Sequence, residues 1–226
     1  MKDSDRPMSL AEVASYLKIT QVDLAELAES GGIPGTKQDT QWQFMRSIVD
    51  DWLVSYMKKL SKEELHRLIA SEGSPVSLKS LVRPELVETD IRPGPKETVL
   101  RQLVRILEHN SLVTGTEAGH LLGRLVDREE MVSTAIFSGV AVPHPRNPEE
   151  AHVKRPAIAL GICREGTEFD SLDMEPTFVF FLICAGNELL HLKLIAELSL
   201  RLRKRDLVAR LAAATDPMQA VVELFG

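Results

Sequence analysis

Two runs of almost unbroken apolar residues constrain this chain more than any other feature. They are Pro-Ala-Ile-Ala-Leu-Gly-Ile-Cys at 156–163 and Thr-Phe-Val-Phe-Phe-Leu-Ile-Cys at 177–184. Each has the length of a strand, and neither alternates with polar residues. A strand that is apolar on both faces must be covered on both, so the sheet must lie between helices. The flanking sequence offers those helices. In Lys96–Leu107, the residues Val99, Leu100, Leu103, Val104 and Leu107 share one face, and in Glu117–Arg128 so do Leu121, Leu122, Leu125 and Val126. Leu189–Leu202 reads as a strongly apolar helix and Asp206–Ala214 as a short one. Asp216-Pro217 reads as an N-cap with proline at the first helical position, opening a last helix through Val221, Val222 and Leu224. Ser138–Val142 reads as a further strand. The expectation is an α/β layer structure with a mixed sheet flanked by helices. The longest apolar run, Phe178–Ala185, falls far short of the roughly 20 residues that a membrane span requires.

The first sixty residues have a different grammar. Ser9-Leu10-Ala11-Glu12 is a capping box, followed by Val13, Ala14 and Leu17 at helical spacing. Thr20-Gln21-Val22-Asp23 starts a second helix of the same kind after only Lys18 and Ile19. Two short helices joined so tightly form a helix-turn-helix. Ser30–Gly35 then turns the chain, and Gln41-Trp42-Gln43-Phe44 alternates as a short strand would. A third helix opens at Ser47 with the stripe Val49, Trp52, Leu53, Tyr56, Met57 and Leu60, and Ser61–Glu64 restarts or continues a helix. Ser71-Glu72-Gly73-Ser74-Pro75 is a composition break. The expected organisation is therefore 1–60, a small, mainly α domain; 61–76, a helical extension and linker; and 77–226, the α/β domain. Residues 82–96, with Pro84, Pro93, Gly94 and Pro95, are expected to be largely non-helical.

The N-terminal order of helix, turn, helix, Gly32-Ile33-Pro34, Trp42-Gln43-Phe44 and Asp51-Trp52-Leu53 resembles the excisionase-like (MerR-related) winged helix-turn-helix domain. That resemblance implies DNA as a partner, but the charges oppose it. The second helix carries Asp23, Glu26 and Glu29 and no base, and residues 1–56 hold five Lys or Arg against nine Asp or Glu. Release of counterions from DNA has little to act on here, so DNA binding, protein binding and a fold without a binding role all stay open. The whole chain carries a net charge of −6, which disfavours a general nucleic-acid or anionic-membrane binder. Met-Lys-Asp-Ser-Asp-Arg-Pro lacks the apolar stretch of a signal peptide, and Cys163 and Cys184 both sit in apolar runs. Both features lead to the expectation of a cytoplasmic chain with two buried free thiols and no membrane insertion.

His144 lies between two prolines at the end of an expected strand, a stiff setting that would hold an imidazole in one orientation. Alone, Pro-His-Pro is a weak signal. The blocks around it are more specific. Arg128–Thr134 with Ser138–Arg146, then Phe169-Asp170-Ser171-Leu172-Asp173, then His191–Ser199 follow in order. They resemble the enzyme IIA domain of the fructose/mannitol type of the phosphotransferase system, which includes the nitrogen-regulatory IIA proteins, over residues 77–226. The resemblance implies that His144 accepts a phosphoryl group from the phosphohistidine of an HPr-type carrier. It also implies that His191 is the second active-site histidine and Arg128 the active-site arginine, with Ser133 or Thr134 as a further hydroxyl donor. The implied chemistry needs no cofactor and no metal, because a neutral imidazole is already a competent nucleophile. Without the resemblance, His191 reads as a core histidine beside Ile195, Leu198 and Leu202, and Arg128 as a cation complementing a helix end. His152 invites a metal reading with His144 and His191, but no acidic or thiol ligand lies at a typical spacing. The chain departs from the family pattern in two places: Ser133-Thr134-Ala135-Ile136-Phe137 stands for Ser-Thr-Gly-Ile-Gly, and Pro145 for a glycine. The expected function is that of a regulatory protein signalling the phosphorylation state of His144. The alternatives are a DNA-binding regulator with a degenerate sensor and a transport component passing phosphate to a separate IIB protein.

Overall fold

The structure, a computed structural model, describes residues 7–17, 19–56, 61–71, 75–171, 173–204 and 206–226. The chain divides into two units, Met1–Lys59 and Leu60–Gly226. No helix among the described residues is long and apolar enough to cross a membrane.

The first unit runs β1 (Met8–Ser9), α1 (Leu10–Leu17), α2 (Gln21–Glu29), β2 (Thr36–Gln38), β3 (Gln41–Phe44) and α3 (Arg46–Tyr56). Both helix starts are capped as their sequences require. Ser9 Oγ accepts from the Glu12 amide at 3.3 Å while the Glu12 carboxylate accepts from the Ser9 amide at 2.8 Å. Thr20 Oγ1 accepts from the Asp23 amide at 3.1 Å. The expected strand, β3, is the centre of a three-stranded antiparallel sheet of order β1-β3-β2. Val13, Leu17, Leu24, Ile33, Phe44, Val49 and Leu53 form the buried interior. Trp52 Nε1 donates to the Gly32 carbonyl and ties α3 to the turn. Lys18, Met57 and Leu60 of the expected pattern lie outside the described residues, as does the side chain of Asp51.

The second unit begins with α4 (Lys62–Ser71) and α5 (Leu78–Leu81), followed by a 3-10 turn (Pro84–Leu86) and β4 (Val87–Glu88). Next come α6 (Lys96–His109), α7 (Gly115–Met131), β5 (Ala135–Phe137) and β6 (Val140–Ala141). A 3-10 turn (Pro148–Ala151), β7 (Ala157–Thr167), β8 (Thr177–Cys184), α8 (Glu188–Leu202), α9 (Leu207–Ala212) and α10 (Pro217–Phe225) complete it. The stretch read as a helical extension contains α4, which packs against α8 and so belongs to the second unit. Glu72–Ser74 of the expected linker lie outside the described residues.

The sheet is mixed, of order β4-β7-β8-β6-β5. Its centre is the antiparallel pair β7 and β8, in register from Ala157 opposite Cys184 to Ile162 opposite Val179. Over Ala157–Cys163 and Val179–Cys184 both strands are buried on both faces, as their apolar runs require. Ala157, Ala159, Cys163, Phe180, Leu182 and Cys184 share one core with Leu100, Leu103, Leu121 and Leu125 of α6 and α7. The alternate residues Ile158, Leu160, Ile162, Phe181 and Ile183 are buried too, on the side where α8 and α9 lie. Cys163 and Cys184 are buried free thiols, and burial pushes Cys184 up to about 12.

Two details differ from expectation. Ser138 and Gly139 do not begin a strand. They form the two-residue turn between β5 and β6, with φ of 54° and 78°. The stretch 82–96 is largely non-helical as expected, but it is more than a connection, because it contains the edge strand β4, which pairs in parallel with β7.

Candidate functional site

His144 stands two residues beyond β6, and its backbone is fixed before its side chain is considered. The Val142 amide donates to the Thr134 carbonyl at 3.0 Å, and the Ile183 amide donates to the Pro143 carbonyl at 2.9 Å. The strand thus continues pairing with β8 up to the flanking proline. The side chain is then pinned by one bond, Nδ1 to the Val142 carbonyl at 2.7 Å. A carbonyl only accepts, so Nδ1 carries the proton. In the neutral ring, Nε2 is therefore the bare lone pair, and no hydrogen-bond partner occupies it among the described residues.

His191 comes from the first turn of α8. Asn187 caps that helix, its Oδ1 accepting from the Leu190 amide at 2.9 Å, and the His191 amide bonds back to the Asn187 carbonyl at 3.1 Å. The rings of His144 and His191 are 4.8 Å apart between centroids and tilted by 47°. The amino-terminal end of α8, where unpaired amides and the helix dipole favour an anion, therefore lies at this pair. Each histidine is only 2% exposed. Burial is the main cause that holds His144 well below the ordinary 6.5, and the Arg128 guanidinium and His191 add to it.

Arg128 is 3% exposed in the last turn of α7, where its Nη1 donates to the Val132 carbonyl at 2.6 Å. His191 thus packs against the His144 imidazole, and the charge of Arg128 acts on it.

Ser133 and Thr134 have other duties. The Ser133 hydroxyl donates to the Phe169 carbonyl at 2.5 Å and accepts from the Ala135 amide at 3.1 Å. The Thr134 hydroxyl donates to Glu129 at 2.6 Å, and the Thr134 amide donates to the same buried carboxylate at 3.0 Å. Lys96 bridges Glu129 at 3.3 Å and Asp170 at 2.8 Å. This network holds the turn between α7 and β5, and it spends both hydroxyls on structure. Asp173 does the same for the next turn. It accepts from the Ser171 hydroxyl at 2.6 Å and the Ser138 amide at 2.8 Å, and these two bonds hold its carboxyl below its ordinary value. Leu172 and the side chain of Phe137 lie outside the described residues.

Glu129, although inside the Arg128–Thr134 block, and Lys96 were given no role from the sequence, yet the signal existed for Glu129. The α7 stripe of Leu121 and Leu125 continues by steps of three and four onto Arg128 and Glu129. Both therefore face the core. His152 stands exposed with φ of 46° beside Glu117 and does not join the pair. His66, His109 and His120 are exposed.

The described arrangement has counterparts. The family described as "Phosphoenolpyruvate-dependent sugar phosphotransferase system, EIIA 2" matches residues 80–225. The chain is 27% identical over 152 residues to the PTS system fructose-specific EIIABC component of Bacillus subtilis, across 66% of this chain but only 23% of that protein. It is 28% identical over 145 residues to a nitrogen regulatory protein of Bradyrhizobium diazoefficiens, across 60% of this chain and 86% of that one. In fold it is similar to the crystal structure of the nitrogen regulatory protein IIA-Ntr from Neisseria meningitidis. That likeness has 21% identity and a TM-score of 0.56, over 65% of this chain and 98% of that one. With more than half of its residues matched, and with the strands and helices of that fold around the histidine pair, the chain belongs to the EIIA 2 family of the phosphoenolpyruvate-dependent sugar phosphotransferase system.

Proposed function

We propose that Nε2 of His144 accepts a phosphoryl group from the phosphohistidine of an HPr-type carrier, and that the state of His144 is the protein's output. The observation that carries this reading is the tautomer. With Nδ1–H committed to the Val142 carbonyl, the Nε2 lone pair is available at neutral pH in a ring that burial keeps uncharged. In the step proposed, that lone pair attacks phosphorus. The P–N bond to the carrier's imidazole breaks, and its electron pair returns to the carrier ring. Arg128 and the imidazole of His191 meet the charge on the transferring oxygens, assisted by the dipole of α8. The site needs no metal for this step.

The first unit is proposed to be an excisionase-like winged helix-turn-helix, with the β2–β3 hairpin as its wing. The capped α1–α2 pair and the Trp52 bond to Gly32 support that reading. We assign it to protein contacts rather than DNA. Its second helix exposes Val22, Asp23, Glu26 and Glu29, and Glu29 already pairs with Lys37 of the wing. A duplex would meet like charge there. The reading places the chain in the cytoplasm, where its partners are the carrier and either a regulated target or a separate IIB protein.

The test is phosphotransfer. Incubation with phosphoenolpyruvate, enzyme I and the carrier is expected to add the mass of one phosphoryl group, lost in mild acid and absent in His144→Ala. No gain with any HPr-type carrier would defeat the proposal.

A further inference from the structure

The phosphoacceptor proposed above has no surface. His144 and His191 are each 2% exposed, and Nε2 of His144 is wholly enclosed. Transfer between two proteins requires the donor phosphorus to come within about 3–3.5 Å of that nitrogen. Something must therefore move first.

The helix α8 indicates what moves. Its residues Leu190 to Ala196 are all 6% exposed or less, across seven consecutive positions. At 3.6 residues per turn they cover the whole circumference. A helix laid on a sheet buries one stripe and leaves the other face to solvent. The outer face of α8 is covered as well, and it includes the lysine Lys193. On the sheet side it meets β8 and α9. Beside its middle lies α5, where the Leu78 amide donates to Glu197 at 2.5 Å. The broadest contact is with α4, which precedes the residues that the family shares. Leu65 of α4 is fully buried, while Lys62, Glu63, His66 and Ala70 are exposed. The solved relative is matched over 98% of its length by residues that make up 65% of this chain. α4, at Lys62–Ser71, lies outside the residues 80–225 that the family shares.

We propose that α4 is an intramolecular cover, which holds α8 down over the His144–His191 pair and must lift before the phosphoryl donor reaches Nε2. The proposal rests on the acceptor reading of His144, but its test does not need a carrier.

The test is histidine modification by diethyl pyrocarbonate in the full chain, read residue by residue by peptide mass. His66, His109, His120 and His152 are exposed and serve as internal references. In the wild-type protein His144 should react roughly tenfold or more slowly than these, as a locally closed site does. In Leu65→Asp it should approach the reference rates while the references stay unchanged, and Leu65→Ala should fall between. A wild-type His144 as reactive as the references overturns the proposal. So does a His144 still protected in a folded Leu65→Asp protein. Should neither variant fold, hydrogen exchange of the wild-type protein decides. Amides of α4 that open as often as His144 is modified support the cover, and amides of α4 as slow as those of β8 overturn it. In a parallel arm, Leu65→Asp should be phosphorylated faster than wild type. If no carrier phosphorylates either protein, the acceptor reading fails, while the modification data still decide the cover.

Discussion

A buried histidine that must stay neutral leaves a mark on stability. His144 has a folded pKa well below its ordinary 6.5. Between those two values the unfolded chain binds a proton that the folded one refuses. The stability contributed is complete above 6.5 and is lost as pH falls through 6.5 toward the folded value. Thermal melts from about pH 7 to about pH 5 should show Tm falling in the wild type and a flatter profile in His144→Gln, and equal slopes would contradict the assignment. Asp173 and Glu117, whose ordinary values are 3.8 and 4.5, are held low by hydrogen bonds and act only at lower pH. Arg128 tests the electrostatics from the other side. Arg128→Leu removes a cation that disfavours the imidazolium, so the His144 pKa should rise in an NMR titration. The same change should slow phosphotransfer by about 10²–10³, the usual cost of one lost oxyanion donor. An unchanged pKa would place the guanidinium elsewhere. At this scale the sequence was most informative where a resemblance named residues and least where a hydroxyl had two uses. Ser133 and Thr134 looked like ligands for phosphate, and their nearest acceptors turned out to be Phe169 and Glu129.

At the scale of elements, legibility followed length and period. β8, α6, α8 and α10 are long or well capped and lie where their patterns put them. β1, β4 and β6 have two residues each, too few for a period of two to register. The hairpin turn at Ser138–Gly139 was hidden because a serine takes the left-handed conformation there. Packing also imposes demands that composition does not announce. A Cβ on Gly161 would stand 2.5 Å from Leu103 of α6 and 2.9 Å from Ile91. The glycine is what lets α6 lie so close to β7, so Gly161→Val should destabilise the second unit by about 1–3 kcal/mol in urea unfolding. At the last helix, Asp216 Oδ1 accepts from the Gln219 amide at 2.9 Å. Asp216→Ala should cost about 1 kcal/mol, with the same denaturant slope.

At the scale of the whole molecule, a family domain carries an added helix and an added unit, and neither belongs to the shared residues 80–225. The sequence changes grammar near residue 75, whereas the two compact units divide between Lys59 and Leu60. The packing of α4 on α8 was not visible, because an amphipathic helix does not say what it will cover. The acidic face of α2 predicts that the full chain shows no retention on a DNA duplex at low salt. Retention with a steep salt dependence would reverse the assignment of the first unit to protein contacts. The central claim concerns one nitrogen, and one measurement reaches it. The chain, labelled with 15N at its histidines and phosphorylated by the carrier, would be examined by long-range proton–nitrogen NMR. The account predicts phosphorus on Nε2 of His144 with Nδ1 still protonated against Val142. Phosphorus on Nδ1, or on any other histidine, would contradict it.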